Sequence, residues 1–165
     1  MSITDEKIVK LLDSFYSPAS DSLGKLREFC EKDSVPIILR ETESYLNTFL
    51  KITNPNRILE IGTAYGYSAC YFATICEGAH ITTIERAPHM YDHAVPNIKS
   101  MGFEDRIDIK FGDANDILDR LINDDSPESR FDLIFIDAAK SHYREFFDRA
   151  EILARPGASI ICDNM

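Results

Sequence analysis

The chain has 165 residues, 44% of them apolar, which is enough for one compact domain with a sizeable buried core. Its 18 basic and 28 acidic residues leave a net charge of -10, which argues against broad electrostatic capture of nucleic acid or of an anionic membrane surface. The N-terminus MSITDEKIVKLLDSF is too charged to read as a secretory signal, and no apolar run approaches the ~20 residues of a membrane span. Cys30, Cys70, Cys76 and Cys162 show no C-x-x-C spacing, so reduced core thiols and a cytoplasmic location are expected.

Residues 4–16 place Ile8, Leu11, Leu12 and Phe15 at helical spacing. A second helix is predicted over about 20–32, with Leu23, Leu26, Phe29 and Cys30 on one face. A third follows Pro36 and recurs through Ile38, Thr42, Tyr45, Leu46 and Phe49. Together they make an N-terminal helical cap over 1–53, closed by the turn TNPN at 53–56. From 54 to 165 the pattern changes to short apolar runs separated by helical stretches. RILEIG is strand one, and a helix is predicted at about 67–76. HITTIE is strand two, with a helix at 89–100. RIDIKFGD is strand three, with a helix at about 114–122 and a polar loop, NDDSPES. FDLIFIDA is strand four. SHYREFFDRAEILA is a helix with Phe146 and Phe147 as core, and PGASIICDN is strand five. This alternation specifies an α/β fold with a doubly wound, mostly parallel sheet.

In an open parallel sheet, ligands bind beyond the carboxyl ends of the strands. Here those ends carry Glu60-Ile61-Gly62, Glu85, Gly112-Asp113, Asp137 and Asp163-Asn164, so every strand sends a carboxylate to one edge. The turn GTAYG (62–66) is glycine-rich but is not G-x-G-x-x-G, and it holds no lysine. A phosphate-bearing cofactor is therefore a poor match. S-Adenosylmethionine suits the site better, having a sulfonium, an ammonium and a ribose diol but no phosphate, and Glu85 stands where a carboxylate takes ribose hydroxyls. If strands four and five are neighbours, their ends lie about 5 Å apart, and Asp137, Asp163 and Asn164 converge as three oxygen donors. Hard oxygen ligands favour Mg²⁺, Mn²⁺ or Ca²⁺ over zinc.

The segments VPIILRETESYL, ILEIGTAYGYSA, TTIER, GDA, FIDAAKSHY and CDN, in this order over about residues 35–164, resemble the cation-dependent O-methyltransferases. That family comprises the catechol and caffeoyl-CoA O-methyltransferases and their small bacterial relatives. The resemblance implies a Rossmann-like S-adenosylmethionine methyltransferase fold. It implies cofactor contacts at Ile38, Glu60, Gly62, Ser68, Glu85, Asp113, Ala114 and Asp137. It implies metal ligation by Asp137, Asp163 and Asn164, with Lys140 as general base. The implied reaction moves a methyl group to a hydroxyl of a catechol-like or vicinal-diol small molecule, in a homodimer formed through the N-terminal helices.

Members of that family continue past the Asp-Asn pair with two further strands. The fold is therefore expected to lack its last two strands, leaving strand five as an uncovered apolar edge that a partner chain would have to cover. Two alternatives stand beside this reading. One is methylation of a hydroxylated tRNA uridine, with Arg27, Arg40, Lys51 and Arg144 as basic groups. The other is a non-catalytic S-adenosylmethionine-binding fragment. The missing G-x-G-x-x-G argues against a nicotinamide-dependent oxidoreductase. His89 and His93 are read as a solvated helix face, and Tyr65 and Tyr67 as packing around the cofactor. His142 and Tyr143 either border the substrate or cap a helix.

Overall fold

The structure, a computed structural model, describes residues 8, 11, 14–124, 126–138 and 142–163. The helix expected over 4–16 falls largely outside these residues, and Ile8, Leu11 and Phe15 are exposed. The elements then follow as α1 (Asp21–Lys32), α2 (Arg40–Thr53), β1 (Arg57–Ile61), α3 (Tyr67–Ile75), β2 (His80–Glu85) and α4 (Pro88–Ser100). They continue as β3 (Ile107–Phe111), α5 (Ala114–Asn123), a 3₁₀ turn (Pro127–Ser129), β4 (Phe131–Ile136), α6 (Tyr143–Leu153) and β5 (Ala154–Cys162). Local chemistry sets several boundaries. The Ser20 hydroxyl accepts the Leu23 N–H at the start of α1, and Asp113 accepts the Asn115 N–H at the start of α5. Pro88 opens α4, where a missing N–H costs nothing. At the end of α3, Arg106 donates to the carbonyls of Ala73, Cys76, Glu77 and Ala79 and satisfies acceptors that the helix leaves open.

The sheet order is β3-β2-β1-β4-β5 and each neighbouring pair is parallel. The order reverses between β1 and β4, the switch point at which such sheets open a crevice. Strand alternation divides the core in two. Ile58, Ile81, Leu133 and Phe135 pack beneath α3 and α4 and the capping helices. Leu59, Ile61, Ile84, Ile134 and Ile136 pack against α5 and α6 on the other face. All four cysteines are free thiols, and Cys30, Cys70 and Cys76 are buried. No helix among the described residues is long and apolar enough to cross a membrane.

The cap differs from its predicted pattern. Buried on α1 are Leu23, Leu26, Arg27 and Cys30, while Phe29 is 38% exposed. Buried on α2 are Glu43, Leu46 and Leu50, while Tyr45 lies outside. The reason is a buried ion pair between Arg27 and Glu43, whose N–O distance is 2.5 Å. It takes the two inward positions that apolar periodicity assigns to the aromatics. On α6, Phe146 is core but Phe147 is exposed. β5 starts two residues before its predicted Pro156, and its register against β4 shifts between Phe131 and Leu133.

Candidate active site

The strand tips at the switch point surround a cavity of about 600 Å³. Its wall carries Gly62, Ser68, Glu85, Asp113, Ala114 and Asp137 from the predicted set. Gly62 makes the crevice possible. Its φ is +103°, and a Cβ built there would lie 2.0 Å from the Asp137 carbonyl oxygen, so only glycine lets the first turn pass under the end of β4.

Glu85 is held from two sides. Its Oε2 accepts the Ala64 N–H at 2.9 Å and its Oε1 accepts the Ala87 N–H at 2.8 Å. Both oxygens keep a further lone pair for a ligand hydroxyl, and the orientation is set before any ligand arrives.

Glu60 lies elsewhere. It is fully buried and is absent from the cavity wall. It stands one residue short of the β1 tip, so strand alternation turns it down beneath α3. There the Thr83 hydroxyl donates to its Oε2 at 2.5 Å, and the Thr63 and Thr83 hydroxyls share a 2.6 Å bond. Its Oε1 has no hydrogen-bond partner among the described residues. Burial pushes its carboxyl up to about 8, the hydroxyls of Ser68 and Thr83 oppose that rise, and the Asp137 and Glu85 carboxylates add to it.

Ile38 is also displaced from its predicted place. Its side chain is core, its carbonyl accepts from Arg27 Nη2 at 3.0 Å, and Pro36 and Ile37 line the cavity instead.

At the far side, Ile136 pairs with Cys162 in register, so Asp137 and Asp163 follow side by side. The Asp137 N–H donates to Ile61 O and the Asp163 N–H to Ile136 O, both at 2.9 Å. The Tyr143 hydroxyl bridges the two tips by donating to the carbonyls of Asp163 and Ile136. Burial, and then the Asp163 carboxylate, push Asp137 up to about 6. Two anions held this close suit a shared cation, which would relieve their repulsion. Among the described residues no three His, Cys, Asp or Glu side chains gather as a metal site, and the predicted third ligand, Asn164, lies outside those residues, as does Lys140.

Sequence reasoning missed Pro36, Ile37, Thr63, Met90 and Asn115 on the wall. Only Asn115 carried a signal, two residues past a strand-end acid at a helix start. His142 occupies the N-cap position of α6 without a side-chain cap bond, and it lines the cavity. His89 is exposed and His93 half-buried, in keeping with a solvated helix face, and both also meet Tyr65. The Tyr65 hydroxyl bonds His89 Nε2 at 3.1 Å, and the Tyr65 and His93 rings stack at 4.3 Å. Arg27 is buried, so it is not a surface base for an anionic partner.

A family model described as O-methyltransferase matches residues 13–165. The chain is 35% identical over 122 residues to a catechol O-methyltransferase of Niastella koreensis, covering 73% of this chain and 54% of that one. It is 32% identical over 160 residues to a caffeoyl-CoA O-methyltransferase of Populus kitakamiensis, covering 92% and 66%. Among solved structures, an O-methyltransferase from Bacillus cereus in complex with SAH superposes with a TM-score of 0.84 at 29% identity, covering 96% and 72%. The chain spans 44% to 66% of the length of such curated relatives.

Proposed function

The chain belongs to the O-methyltransferase family, and from that premise we propose that it takes part in S-adenosylmethionine-dependent methylation of a hydroxyl on a catechol-like or vicinal-diol small molecule, aided by a divalent cation. The observation that carries the proposal is the cavity wall itself, with Glu85 pre-oriented at one strand tip and Asp137 beside Asp163 at the other. When bound, S-adenosylmethionine would supply a methyl group on a cationic sulfur, and Mg²⁺ or a similar ion would acidify the acceptor hydroxyl.

The chain's own residues would do the rest. Glu85 would accept both ribose hydroxyls with the lone pairs that Ala64 and Ala87 leave open. Asp113 and Ala114 would flank the base, and Asp137 would face the ammonium end. Asp137, Asp163 and Asn164 would hold the cation, and Lys140 would take the acceptor's proton. Fixing donor and acceptor in line is where most of the rate would arise.

The test is isothermal titration of the chain with S-adenosylhomocysteine, then methyl transfer to a catechol panel with and without Mg²⁺. Binding together with chelator-sensitive transfer that Asp163→Ala abolishes is the expected outcome. Transfer unchanged by Asp163→Ala would sink the metal assignment, and no cofactor binding would sink the whole reading.

A further inference from the structure

We propose that Arg27, on the capping helix α1, is a positioning residue for the cofactor cavity, holding the Pro36–Leu39 segment and the Tyr67 ring in the shape that the ligand meets. This rests on the cofactor reading above. Arg27 is 5% exposed and spends its donors on five partners. Nε donates to the hydroxyls of Tyr16 and Tyr67, both at 3.1 Å. Nη2 donates to Glu43 Oε2 at 2.5 Å and to Ile38 O at 3.0 Å. Nη1 reaches Glu31 Oε1 at 3.3 Å. The guanidinium carbon also lies 4.6 Å from the centroid of the Tyr67 ring.

Two of these contacts lead to the cavity. Ile38 directly follows Pro36 and Ile37, which line it, and Tyr67 lines it from α3. The Tyr67 hydroxyl in turn donates to Glu43 Oε2 at 2.7 Å, so ring, ion pair and segment form one connected set. Stability alone does not call for a buried ion pair here. Apolar residues of similar volume are often as stable or more so, because both charges must leave water. What the guanidinium adds is direction. Its rigid fork fixes several acceptors at set angles, which a lysine ammonium does not. The segment that carries Pro36 and Ile37 belongs to no helix or strand, so it lacks a backbone ladder to fix it, and the Arg27 bond to Ile38 O does so instead.

The experiment is titration of the full chain with S-adenosylhomocysteine, each variant paired with a thermal melt. Arg27→Met is expected to weaken binding about tenfold, Tyr67→Phe about threefold, and Arg27→Lys to recover only part of the loss, as befits a loosened wall. Arg106→Ala serves as the control for stability, since it breaks the cap of α3 away from the cavity. It should melt early and bind as the wild type does. If Arg27→Met fails to fold, Tyr67→Phe and the pair Arg27→Met/Glu43→Leu, which leaves no charge buried, carry the test with the same expected loss. Wild-type affinity in the folded Arg27 variants and in Tyr67→Phe overturns the positioning role alone. So does an equal loss in Arg106→Ala. No binding by the wild type overturns the cofactor reading, and this inference with it.

Discussion

Glu60→Gln should remove a pH dependence from the protein's stability. Glu60 is fully buried, its Oε2 is bonded by Thr83, and its Oε1 has no partner among the described residues. Its carboxyl is pushed from 4.5 to about 8, first by burial. An acid whose folded value is raised holds its proton in the native state after the unfolded chain has released it. The stability it contributes is full below about 4.5 and is lost as pH rises through about 8. At about 1.4 kcal/mol per unit, the loss attributable to this one group between pH 5 and pH 8 is on the order of 3 kcal/mol. Glutamine mimics the protonated acid. Its oxygen can accept from Thr83, and its amide donors stand where the proton stands. Urea unfolding of both proteins at pH 5, 6.5 and 8, followed by circular dichroism, isolates the group, because other titrating residues cancel in the difference. The wild type should lose ground to the variant as pH rises. Parallel profiles for the two proteins would refute the reasoning, and so would a wild type that gains on the variant.

Three further outcomes follow from the geometry. Gly62→Ala drives a Cβ to 2.0 Å from the Asp137 carbonyl at a φ of +103°, so a loss of about 2 kcal/mol or more in a melt and loss of S-adenosylhomocysteine binding by titration are expected. Glu85→Gln turns an amide donor toward the Ala64 or Ala87 N–H, so binding should weaken on the order of 100-fold, with a lower melting temperature from the unsatisfied N–H. Arg106→Ala removes a donor from the carbonyls of Ala73, Cys76, Glu77 and Ala79, of which Cys76 keeps the Ala79 N–H, and should cost about 2–3 kcal/mol in urea unfolding, with binding intact.

The sheet was legible because its central strands β1, β2 and β4 are buried on both faces and stand out as largely apolar runs against amphipathic helices. HITTIE coincides with β2, from His80 to Glu85. The pairing of Asp137 with Asp163 was legible for the same reason, since one helix and one strand return the chain to the same edge, and the register Ile136 to Cys162 brings them together. Parity was less visible. Glu60 and Glu85 both read as strand-end acids, yet Glu85 is the last residue of β2 while Glu60 stops one short of the end of β1. One residue is enough to send a side chain to the other side of the rim. The cap was least legible. Periodicity ranks Phe29 above Arg27 for burial, because the partner that makes Arg27 buriable is Glu43 on another helix. A tertiary ion pair leaves no local signature, and neither does the irregular stretch that puts Ile37 in the cavity and Ile38 in the core.

The arrangement of acids carries one more consequence. Glu60, Glu85, Asp137 and Asp163 all come from the same end of one sheet, and after burial itself the neighbouring carboxylates add to the raised proton affinity of Glu60 and Asp137. A fold selected for stability alone would disperse them. This one gathers them near the N-terminal turn of α3, whose dipole offsets part of the repulsion. Carboxylates gathered at one rim are costly to hold together and favour the entry of a cation, even with Arg86 in the wall. Under the proposed function, the sulfonium, the ammonium and a divalent ion meet that requirement, whereas a phosphate-bearing ligand would worsen it. Under that reading, the crowding of carboxylates that costs stability in the ligand-free protein would contribute to cofactor affinity.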